Sequence, residues 1–403
     1  MQVSVSGLGY IGLPTAGLLA RSGYIVNGVD TNPIVLESIK LGKPNIVEPD
    51  LEALINEAYN GGRLTLTLQP VPADIFLITV PTPFIAETGG LPIADLQYVN
   101  SAALAIAKVL KKGDLVILES TSPVGTTESM WRLLSEESCI NPEDFSVAYC
   151  PERLLPGNTI QELQCNNRIV GGVNPYSSAH AADFYASFCQ GQVLQTDART
   201  AELVKLAENS YRDVNIAFAN ELSLICDHLD IDVYEAIALT NHHPRVNVLK
   251  PGCGVGGHCI SVDPWFLAAA APHCSALIQT ARKVNSLKVK WVIDQILERI
   301  SHFHLSINRP IRLGVLGLSF KPDINDLRES PALEIATSLL AKGIDLIVCE
   351  PNLQDHPSIK LHELNYVLEH SDILVFLVAH TSFTGIDLTG RQVLDFCGVT
   401  DSN

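Results

Sequence analysis

The chain has 403 residues, of which 47% are hydrophobic and 18% are charged. One hydrophobic core seldom organises more than about 250–300 residues, so this length predicts two or three domains, and the apolar fraction excludes a disordered chain. Basic residues number 27 and acidic residues 44, which gives a formal net charge of −17. This charge argues against nucleic acid as a partner, because affinity for phosphate backbones comes from clustered Lys and Arg. It is compatible with an anionic ligand in a local basic pocket.

The cysteines and the apolar runs indicate a compartment. Ten cysteines are scattered along the chain without a Cys-x-x-Cys pair, so we expect neither a disulfide scaffold nor a structural zinc site, and no bound metal. No basic leader precedes the first apolar segment, and no apolar run approaches the ~20 residues of a membrane helix. We therefore expect a soluble, cytoplasmic protein with reduced thiols and no membrane partner.

Predicted strands and helices alternate in the first part of the chain. Strands are predicted at residues 2–6, 24–29, 75–80, 115–119 and 146–149, and a helix at residues 14–23. Alternation of this kind is typical of a parallel sheet with helices on both faces.

A long helix and a second α/β segment follow. Apolar residues at helical spacing, with few helix breakers, predict one helix from about residue 200 to residue 229. Strands are then predicted at residues 312–317, 346–350 and 373–378, and a helix at residues 331–342. The predicted fold is therefore α/β, with two Rossmann-like, doubly wound parallel-sheet domains joined by a long central helix.

A glycine-rich motif follows the first predicted strand. Gly7, Gly9 and Gly12 form the pattern G-x-G-x-x-G, in which glycines permit a tight turn and a close approach of a pyrophosphate to the helix N-terminus. Asp30 lies 18 residues after Gly12, at the end of the second predicted strand. An acid at this place binds a ribose hydroxyl and repels the 2′-phosphate of NADP. The motif predicts NAD binding; the alternative is a glycine turn with a purely structural role.

A second glycine-rich segment, residues 251–263, contains Cys259 and ends at Asp263. A thiol beside backbone N–H groups is what a covalent intermediate and its oxyanion need. Asp263 lies one turn away if a helix starts at Cys259. The alternative is a buried and inert cysteine after a flexible loop, since free Cys is commonly buried.

The predicted long helix carries a polar stripe. Lys205, Asn209 and Arg212 are spaced by four and three residues, which places them on one face. Lys and Asn one turn apart can hold an oxyanion, and a desolvated Lys can release its proton. The alternative is an ordinary solvated face.

Two polar loops follow the strands predicted at residues 115–119 and 146–149. The first loop contains Thr121 and the second contains Glu152. Ligands of open parallel sheets bind at the carboxyl ends of the strands, where Glu152 could order or deprotonate a water molecule. The alternative for Glu152 is an exposed loop acid.

These motifs, in this order along nearly the whole chain, resemble the nucleotide-sugar 6-dehydrogenase family. The resemblance rests on residues 7–12, 80–83, 119–125, 151–157, 201–224, 243–247, 254–265 and 320–331. Gly-Gly-His-Cys-Ile at residues 256–260 and Pro-Glu-Arg at residues 151–153 point to the branch of the family that acts on N-acetylhexosamines.

The resemblance implies an irreversible four-electron oxidation of the C6 alcohol of a UDP-sugar to a carboxylate, with two NAD⁺ as oxidant. Cys259 would be the nucleophile, which forms a thiohemiacetal with the aldehyde and then a thioester. Lys205 would accept or donate a proton and, with Asn209, stabilise the oxyanion. The other implied catalytic residues position water or assist thioester hydrolysis: Asp263, Thr121 and Glu152.

The resemblance also implies binding residues. Those for NAD, besides the three glycines, are Tyr10, Ile11, Asp30, Thr82, Thr121 and Arg328. Those for the UDP-sugar are Arg153, Leu154, Lys205, Asn209, Arg212, His243, Arg245, Gly256 and Lys321. The cations among them supply the positive charge that a pyrophosphate needs in an acidic protein. In relatives the residue that matches Arg245 reaches across a dimer, so a homodimer through the central helix is expected.

Three domains follow from the elements and the resemblance. Residues 1–195 are expected to form an NAD-binding Rossmann domain, and residues 196–305 a central helical domain with the dimerisation helix and the Cys259 loop. Residues 306–403 are expected to form a Rossmann-like domain that binds the UDP-sugar.

The sequence departs from the family pattern at two cysteines. Cys253 replaces the usual Pro or Ser and places a second thiol beside the nucleophile loop, where a cross-link to Cys259 is conceivable. Cys397 replaces the usual Lys or Arg before Gly398, so the family pattern does not predict the last strand of the chain.

The sugar and the reaction class each have alternatives. UDP-N-acetylmannosamine is the expected substrate, ahead of UDP-N-acetylglucosamine and UDP-glucose, with synthesis of surface-polysaccharide precursors as the expected role. The enzymatic alternative is a two-electron β-hydroxyacid dehydrogenase; the glycine-rich Cys259 loop and the second α/β domain argue against it. The other alternative is a catalytically silent nucleotide-sugar-binding protein; the presence of every reactive residue argues against that.

Overall fold

The computed structural model describes residues 1–400 apart from residues 45, 47, 86–89, 155–156 and 305–308. The chain divides into two compact units, residues 1–207 and residues 208–403, and the division falls within one long helix. No helix in the described ranges is long and apolar enough to cross a membrane. The start of the third expected domain at residue 306, and Leu155 and Pro156 of the family motif, lie outside the described residues.

The first unit contains ten strands and begins the long helix. The strands are β1 (Gln2–Ser6), β2 (Ile25–Val29), β3 (Leu64–Thr67), β4 (Ile75–Ile78), β5 (Phe84–Ile85), β6 (Ile93–Ala94), β7 (Leu115–Leu118), β8 (Ser146–Tyr149), β9 (Arg168–Gly172) and β10 (Val193–Asp197). The helices are α1 (Gly12–Arg21), α2 (Pro33–Lys40), α3 (Leu51–Asn60), α4 (Gln97–Ala107), α5 (Thr126–Ser138), α6 (Thr159–Cys165), α7 (Pro175–Ala186) and the long helix α8 (Ala198–His228).

Eight of these strands form one sheet in the order β10-β9-β8-β7-β4-β1-β2-β3, and β5 pairs with β6 separately. The strands and helices predicted in this unit are confirmed to within two residues. A wholly parallel sheet was wrong at one place, because β8 and β9 pair antiparallel. The described residues between β8 and β9 contain only the short helix α6. Strand β9 starts at the edge where β8 ends, whereas a parallel pair needs a crossover to the opposite edge.

Both faces of this sheet are buried, as expected. All residues of β4 and β7 are buried, and alternate side chains enter two different apolar clusters. Leu77 and Ile117 belong to one cluster, while Phe76 and Val116 belong to the other. Continuous apolar strands of this kind are typical of sheets covered by helices on both sides. The carboxyl ends of the strands are thereby left as the accessible edge.

The second unit is built on a four-stranded sheet. Its strands are β11 (Arg312–Leu316), β12 (Asp345–Cys349), β13 (Ile373–Phe376) and β14 (Gln392–Asp395), all parallel, in the order β12-β11-β13-β14. Its helices, after the end of α8, are α9 (Val233–Thr240), α10 (Asp263–Ala270), α11 (Ala276–His304), α12 (Pro331–Ala341) and α13 (Leu364–His370). The last strand, which the substitution at Cys397 left open, is present as β14 and pairs with β13.

The sequence did not indicate α11, although it is 29 residues long. Three of its polar side chains, Arg282, Asn285 and Lys288, are buried, so the helix lacks a clean apolar stripe. Asp213 of α8 explains two of them, because its Oδ1 accepts hydrogen bonds from Arg282 Nη1 at 2.7 Å and from Asn285 Nδ2 at 2.8 Å. A buried charge is tolerated when it is paired in this way. Lys288 Nζ lies 2.6 Å from Ser223 Oγ.

Candidate active site

The glycine-rich loop after β1 leaves room above the N-terminus of α1. Gly7 has φ +97°, and a Cβ on Gly12 would lie 1.8 Å from the Gly7 carbonyl oxygen. A Cβ on Gly9 would meet no atom within 4 Å, and no side chain caps α1. The loop therefore requires glycine at two positions for its own packing, and at Gly9 it offers open backbone beside a helix N-terminus, which fits a pyrophosphate.

Asp30 comes directly after β2 and is tied to the same loop. Its Oδ2 accepts the Leu8 N–H at 3.0 Å, and its Oδ1 accepts the Asn32 N–H at 2.9 Å. The carboxylate is thus fixed where an adenosine ribose would lie. Between Gly9 and Gly12, Tyr10 is exposed and Ile11 is partly exposed.

Thr82 and Thr121 are brought together at the carboxyl ends of neighbouring strands. Thr82 follows β4, Thr121 follows β7, and the Thr82 hydroxyl donates to the Thr121 carbonyl at 2.7 Å. Glu202 of α8 holds the end of the Thr121 loop, because its carboxylate accepts the N–H groups of Gly125 at 2.6 Å and Thr127 at 2.8 Å. The residues of the first unit therefore fit NAD along the edge from β2 to β7.

Glu152 is buried rather than exposed, which contradicts the alternative of a solvated loop acid. It lies just after β8 with 8% of its surface exposed and pairs with the buried Arg168 of β9. Arg153 is exposed and its Nη1 donates to the Asn167 carbonyl at 3.3 Å, while Leu154 is half-buried. The loop thus presents an arginine to solvent and an acid to the interior.

The polar stripe on α8 is present but unevenly exposed. Lys205 is 8% exposed, which contradicts a solvated face at that position. Arg212, seven residues later on the same side of the helix, is exposed. Asn209 Nδ2 donates to Asp263 Oδ2 at 2.5 Å, and Asp263 is 2% exposed. Asn209 and Asp263, which the sequence named from separate segments, therefore form one hydrogen-bonded pair.

Cys259 occupies a turn before α10. The helix starts at Asp263 rather than at Cys259, but the Asp263 N–H reaches the Cys259 carbonyl at 2.8 Å and the Val262 N–H reaches it at 3.0 Å. Cys259 and Asp263 are thus one turn apart, as the spacing predicted. Cys259 is half-buried, so it is not a fully buried core cysteine.

The Cys259 loop packs on the loop that carries Lys321 and Arg328. A Cβ on Gly256 would lie 2.5 Å from the Glu329 carbonyl oxygen, and the Gly257 N–H donates to the Arg328 carbonyl at 3.0 Å. Gly256 is therefore required by close backbone packing, and Lys321 is half-buried beside it on the neighbouring loop.

An acid also organises the loop after β11. Glu350, directly after β12, accepts the N–H groups of Leu318 and Ser319 at 2.7 and 2.9 Å. Its Oε2 also lies 3.1 Å from Nε2 of the fully buried His380. Arg328 is exposed and makes a bidentate pair with Asp326, in which Nη2 lies 2.5 Å from Oδ2.

The remaining expected substrate residues lie at the surface of the second unit. His243 and Arg245 are both exposed in the segment after α9. Cys253, in contrast, is buried, and its thiol lies 3.4 Å from the Leu377 carbonyl. Burial raises the pKa of Cys253 to about 12, so the thiol stays protonated and unreactive.

Six buried residues that support the candidate site were not assigned a role from the sequence. They are Glu119, Arg168, Tyr185 and Glu202 in the first unit and Glu350 and His380 in the second. Glu119 and Glu202 lie in segments that carry the family resemblance, and Glu350 ends a predicted strand, but nothing in the sequence gave any of the six residues a role. The one usable signal was positional, since Glu350 follows its strand as Asp30 follows β2.

Three successive segments of the chain match the domains of one protein family. Residues 1–189 match the NAD binding domain of the UDP-glucose/GDP-mannose dehydrogenase family, residues 199–287 its central domain, and residues 314–402 its UDP binding domain.

Individual relatives cover almost the whole chain. The chain is 48% identical over 412 residues to the UDP-N-acetyl-D-mannosamine dehydrogenase of Campylobacter jejuni, with 98% of this chain and 99% of the relative aligned. It is 47% identical over 413 residues to the NDP-N-acetyl-D-galactosaminuronic acid dehydrogenase of Ralstonia nicotianae, with 98% and 96% aligned. The solved UDP-D-ManNAc dehydrogenase of Pyrococcus horikoshii has a TM-score of 0.90 at 37% identity, with 100% of this chain and 97% of that chain covered.

The fold, the dinucleotide loop and the matched domains define an NAD-dependent dehydrogenase of nucleotide sugars. The chain belongs to the UDP-glucose/GDP-mannose dehydrogenase family. This assignment confirms the predicted family, the predicted NAD cofactor and the prediction of a nucleotide-sugar 6-dehydrogenase, and it goes against both alternatives, the β-hydroxyacid dehydrogenase and the silent binding protein.

The glycine loop separates packing from cofactor binding. Replacing Gly12 with Ala would force a Cβ against the Gly7 carbonyl and should destabilise the protein by about 2 kcal/mol. Replacing Gly9 with Ala meets open space, so stability should stay within about 0.5 kcal/mol while NADH affinity falls at least about tenfold. Urea denaturation and NADH fluorescence titration measure the two effects. Wild-type NADH affinity in Gly9→Ala would show that the pyrophosphate does not pass over Gly9.

Proposed function

We propose that the chain oxidises the C6 alcohol of UDP-N-acetyl-D-mannosamine to the carboxylate of UDP-N-acetyl-D-mannosaminuronate, with reduction of two NAD⁺. The observation that carries the proposal is the half-buried Cys259 on a tight glycine loop, one turn before an Asp263 that is hydrogen-bonded to Asn209. The relative from Campylobacter jejuni carries the name of this activity. Synthesis of a surface-polysaccharide precursor is the proposed role.

The nucleophile of the proposed reaction is Cys259. The C6 alcohol loses a hydride and a proton to give an aldehyde, and the Cys259 sulfur adds to the aldehyde carbon to form a thiohemiacetal. Loss of a second hydride and of the hydroxyl proton gives a thioester. Bound NAD⁺ supplies the acceptor for each hydride. The carbon–sulfur bond keeps the reactive carbonyl on the protein between the two oxidations.

The proton and oxyanion chemistry is assigned to α8. Lys205, which is largely desolvated, exchanges the alcohol and hydroxyl protons, and its ammonium stabilises the oxyanion. The Asn209 amide orients the site, since one of its N–H groups is already bonded to Asp263 at 2.5 Å. A paired and buried Asp263 is a fixed acceptor for the water that hydrolyses the thioester.

Hydrolysis completes the cycle and is assigned to Glu152 with Thr121. Glu152 accepts a proton from water as the water oxygen adds to the thioester carbonyl. The carbon–sulfur bond then breaks, so that Cys259 leaves and takes up a proton. Glu152 is suited to this role because its pairing with the buried Arg168 holds the side chain in one orientation inside the protein.

A few cations are proposed to bind the UDP-sugar. Arg153, Arg212, His243 and Arg245 are exposed and Lys321 is half-buried, so all can reach an anionic ligand. The match of residues 314–402 to a UDP binding domain supports the assignment of Lys321. Leu154 and Gly256 would contact the ligand without charge, and Arg328 would serve the cofactor side.

The covalent mechanism predicts a stoichiometry and a mutant phenotype. Wild-type protein should release two NADH per UDP-N-acetylmannosamine, measured by absorbance at limiting substrate. Cys259→Ala should lose net carboxylate formation by at least about 10³-fold and keep UDP-sugar affinity, which calorimetry measures. Cys253→Ala is the matched control and should turn over normally, since that thiol is buried. One NADH per sugar, or full turnover by Cys259→Ala, would refute the mechanism.

The identity of the sugar needs its own experiment. Relatives named for N-acetylmannosamine and for N-acetylgalactosaminuronic acid are 48% and 47% identical, so similarity does not separate configurations at C2 and C4. Initial rates should be compared at equal concentrations of UDP-N-acetylmannosamine, UDP-N-acetylglucosamine, UDP-N-acetylgalactosamine and UDP-glucose. We expect the first to give the highest kcat/KM by at least about tenfold, because a pocket that hydrogen-bonds one configuration leaves polar groups unpaired with the others. Preference for another sugar would overturn the substrate and keep the reaction.

A homodimer through α8 is proposed from an apolar stripe. Tyr211, Phe218 and Ile225 are 71%, 56% and 48% exposed, and their spacing of seven residues aligns them on one side of the helix. Exposed apolar rows of this kind mark protein–protein interfaces. A partner along α8 would also suit an Arg245 that reaches into the other protomer's site.

The dimer can be tested by placing a charge on the stripe. Phe218→Glu should convert the protein to a monomer, as measured by light scattering, because two acids would face each other across the two-fold axis. Activity should fall as well, since Arg245 would no longer reach the other protomer's site. Leu277→Glu is the control, since Leu277 is 68% exposed on α11 and off the stripe. A Phe218→Glu variant that stays dimeric would place the interface elsewhere.

The domain boundaries and the compartment complete the proposal. The division into residues 1–195, 196–305 and 306–403 is supported by the three matched family domains. A cytoplasmic location is supported by ten scattered cysteines without a Cys-x-x-Cys pair, which suit a reducing compartment.

A further inference from the structure

A buried polar cluster surrounds Glu152 in the first unit. Its members come from the ends of the neighbouring strands β7 and β8, from β9 and from α7, and each is less than a tenth exposed: Glu119, Cys150, Glu152, Arg168 and Tyr185. Only Glu152 has a part in the proposed reaction. The other members therefore need a separate explanation, because buried polar groups are costly unless they are paired.

The cluster contains two carboxyl groups and one guanidinium, and the guanidinium pairs with only one of the two acids. Arg168 Nη1 pairs with Glu152 Oε1, and Arg168 Nη2 donates to the Leu163 carbonyl at 2.9 Å. The guanidinium carbon lies 5.2 Å from the centroid of the Tyr185 ring, and the Tyr185 hydroxyl donates to Glu119 Oε1 at 2.5 Å. Glu119 Oε2 is buried and has no hydrogen-bond partner in the described part of the chain.

The charges of the cluster balance only if one acid is neutral. With both carboxyl groups ionised, one negative charge would be enclosed without a partner, which costs far more than enclosing a neutral acid. Burial, followed by the repulsion of Glu152, raises the pKa of Glu119 to about 8, against the opposing effects of Arg168 and Tyr185. A proton on Oε2 would be compatible with Oε1 accepting the Tyr185 hydroxyl.

The remaining titratable groups that face the cluster are neutral. They are Cys150, Tyr185 and Cys189, and burial is the largest cause that raises the pKa of each one. The cluster therefore encloses one cation, Arg168, and one acid in direct contact with it, Glu152.

We propose that Glu119 is a positioning residue that stays protonated, so that Arg168 binds Glu152 alone and holds it as the oriented carboxylate for thioester hydrolysis. This inference rests on the proposed role of Glu152. When Glu119 loses its proton, two carboxylates compete for one guanidinium and Glu152 is pulled from its position. Hydrolysis then slows as the pH rises through the ionisation of Glu119.

The protonation state can be tested without catalysis, by means of Glu119→Gln. The amide has the shape of the neutral acid and cannot ionise. The pKa of Glu119 is about 8 in the folded chain against an ordinary value of 4.5. The contribution of Glu119 to wild-type stability is therefore fully present below about pH 4.5 and is lost progressively as the pH rises to about 8. The ratio of unfolding constants, wild type to Glu119→Gln, should therefore grow by up to about tenfold per pH unit across this window and then level off.

Infrared spectroscopy supplies a second measurement on the folded protein. The wild-type minus Glu119→Gln difference spectrum should contain the carbonyl band of a protonated carboxylic acid at neutral pH, and the band should vanish above about pH 8. Glu143→Gln, an exposed acid ahead of β8, is the matched control and should show no such band. A carboxylate signal from Glu119 at neutral pH, with a pH-independent stability ratio, would overturn the proposal.

The positioning role is tested by the fate of the thioester. We expect kcat of the wild type to decline at alkaline pH; Glu119→Gln should keep kcat within about twofold at neutral pH and lose this decline. Arg168→Met should keep KM and lower kcat at least about tenfold, with the Cys259 acyl adduct accumulating in quenched samples analysed by intact mass. An identical alkaline decline in Glu119→Gln and wild type would refute the role.

Failure of the Glu152 assignment would look different. In that case Glu152→Gln would hydrolyse the thioester at the wild-type rate, while the infrared band and the stability ratio of Glu119→Gln would still show a protonated Glu119. Should Arg168→Met fail to fold, Arg168→Lys retains the cation and should restore folding with a smaller loss of kcat, because Lys lacks the planar fork that orients a carboxylate.

Discussion

A carboxylate inside a protein must be paired, and two buried acids of this chain, Glu202 and Glu350, are paired with the backbone of loops at the candidate site. Glu202 accepts two backbone N–H groups of the loop that begins at Thr121. Glu350 does the same for the loop that leads to Lys321. Because an unpaired acid would be costly, each loop is held in one conformation by an interaction that the fold cannot give up. The positions of Thr121 and Lys321 therefore depend on these two acids.

The fold and the local geometry around the candidate residues were predictable from the sequence for definite reasons. Strands such as β4 and β7 are continuous apolar runs, and the glycine pattern at Gly7–Gly12 has a geometry that other residues cannot adopt, since a Cβ on Gly12 would overlap the Gly7 carbonyl. The spacing of Cys259 and Asp263 likewise predicted one turn, and the turn is there, although the helix proper begins at Asp263. Local backbone constraints of this kind leave traces in one segment of the sequence.

Pairings between distant segments leave no such trace. Arg168 and Glu152 are 16 residues apart and Tyr185 and Glu119 are 66 apart, and nothing in either segment names its partner. The helix α11 was missed for the same reason: Arg282, Asn285 and Lys288 are buried because of groups on α8, so its own pattern looks polar. The antiparallel β8–β9 pair also depends on where the chain re-enters the sheet, which hydrophobic periodicity does not record.

The first turns of the two sheets differ in what they leave free. In the first unit, backbone at Gly9 faces open space, whereas in the second the N–H groups of Leu318 and Ser319 are both taken up by Glu350. The described part of each chain thus offers one docking place for a dinucleotide, and a reaction that removes two hydrides must use it twice in succession. During the exchange the half-oxidised sugar has to wait. In the proposed mechanism the bond to Cys259 retains the half-oxidised sugar during this exchange. The lifetime of the adduct relative to the rate of cofactor exchange then decides whether the product is a carboxylate or a released aldehyde.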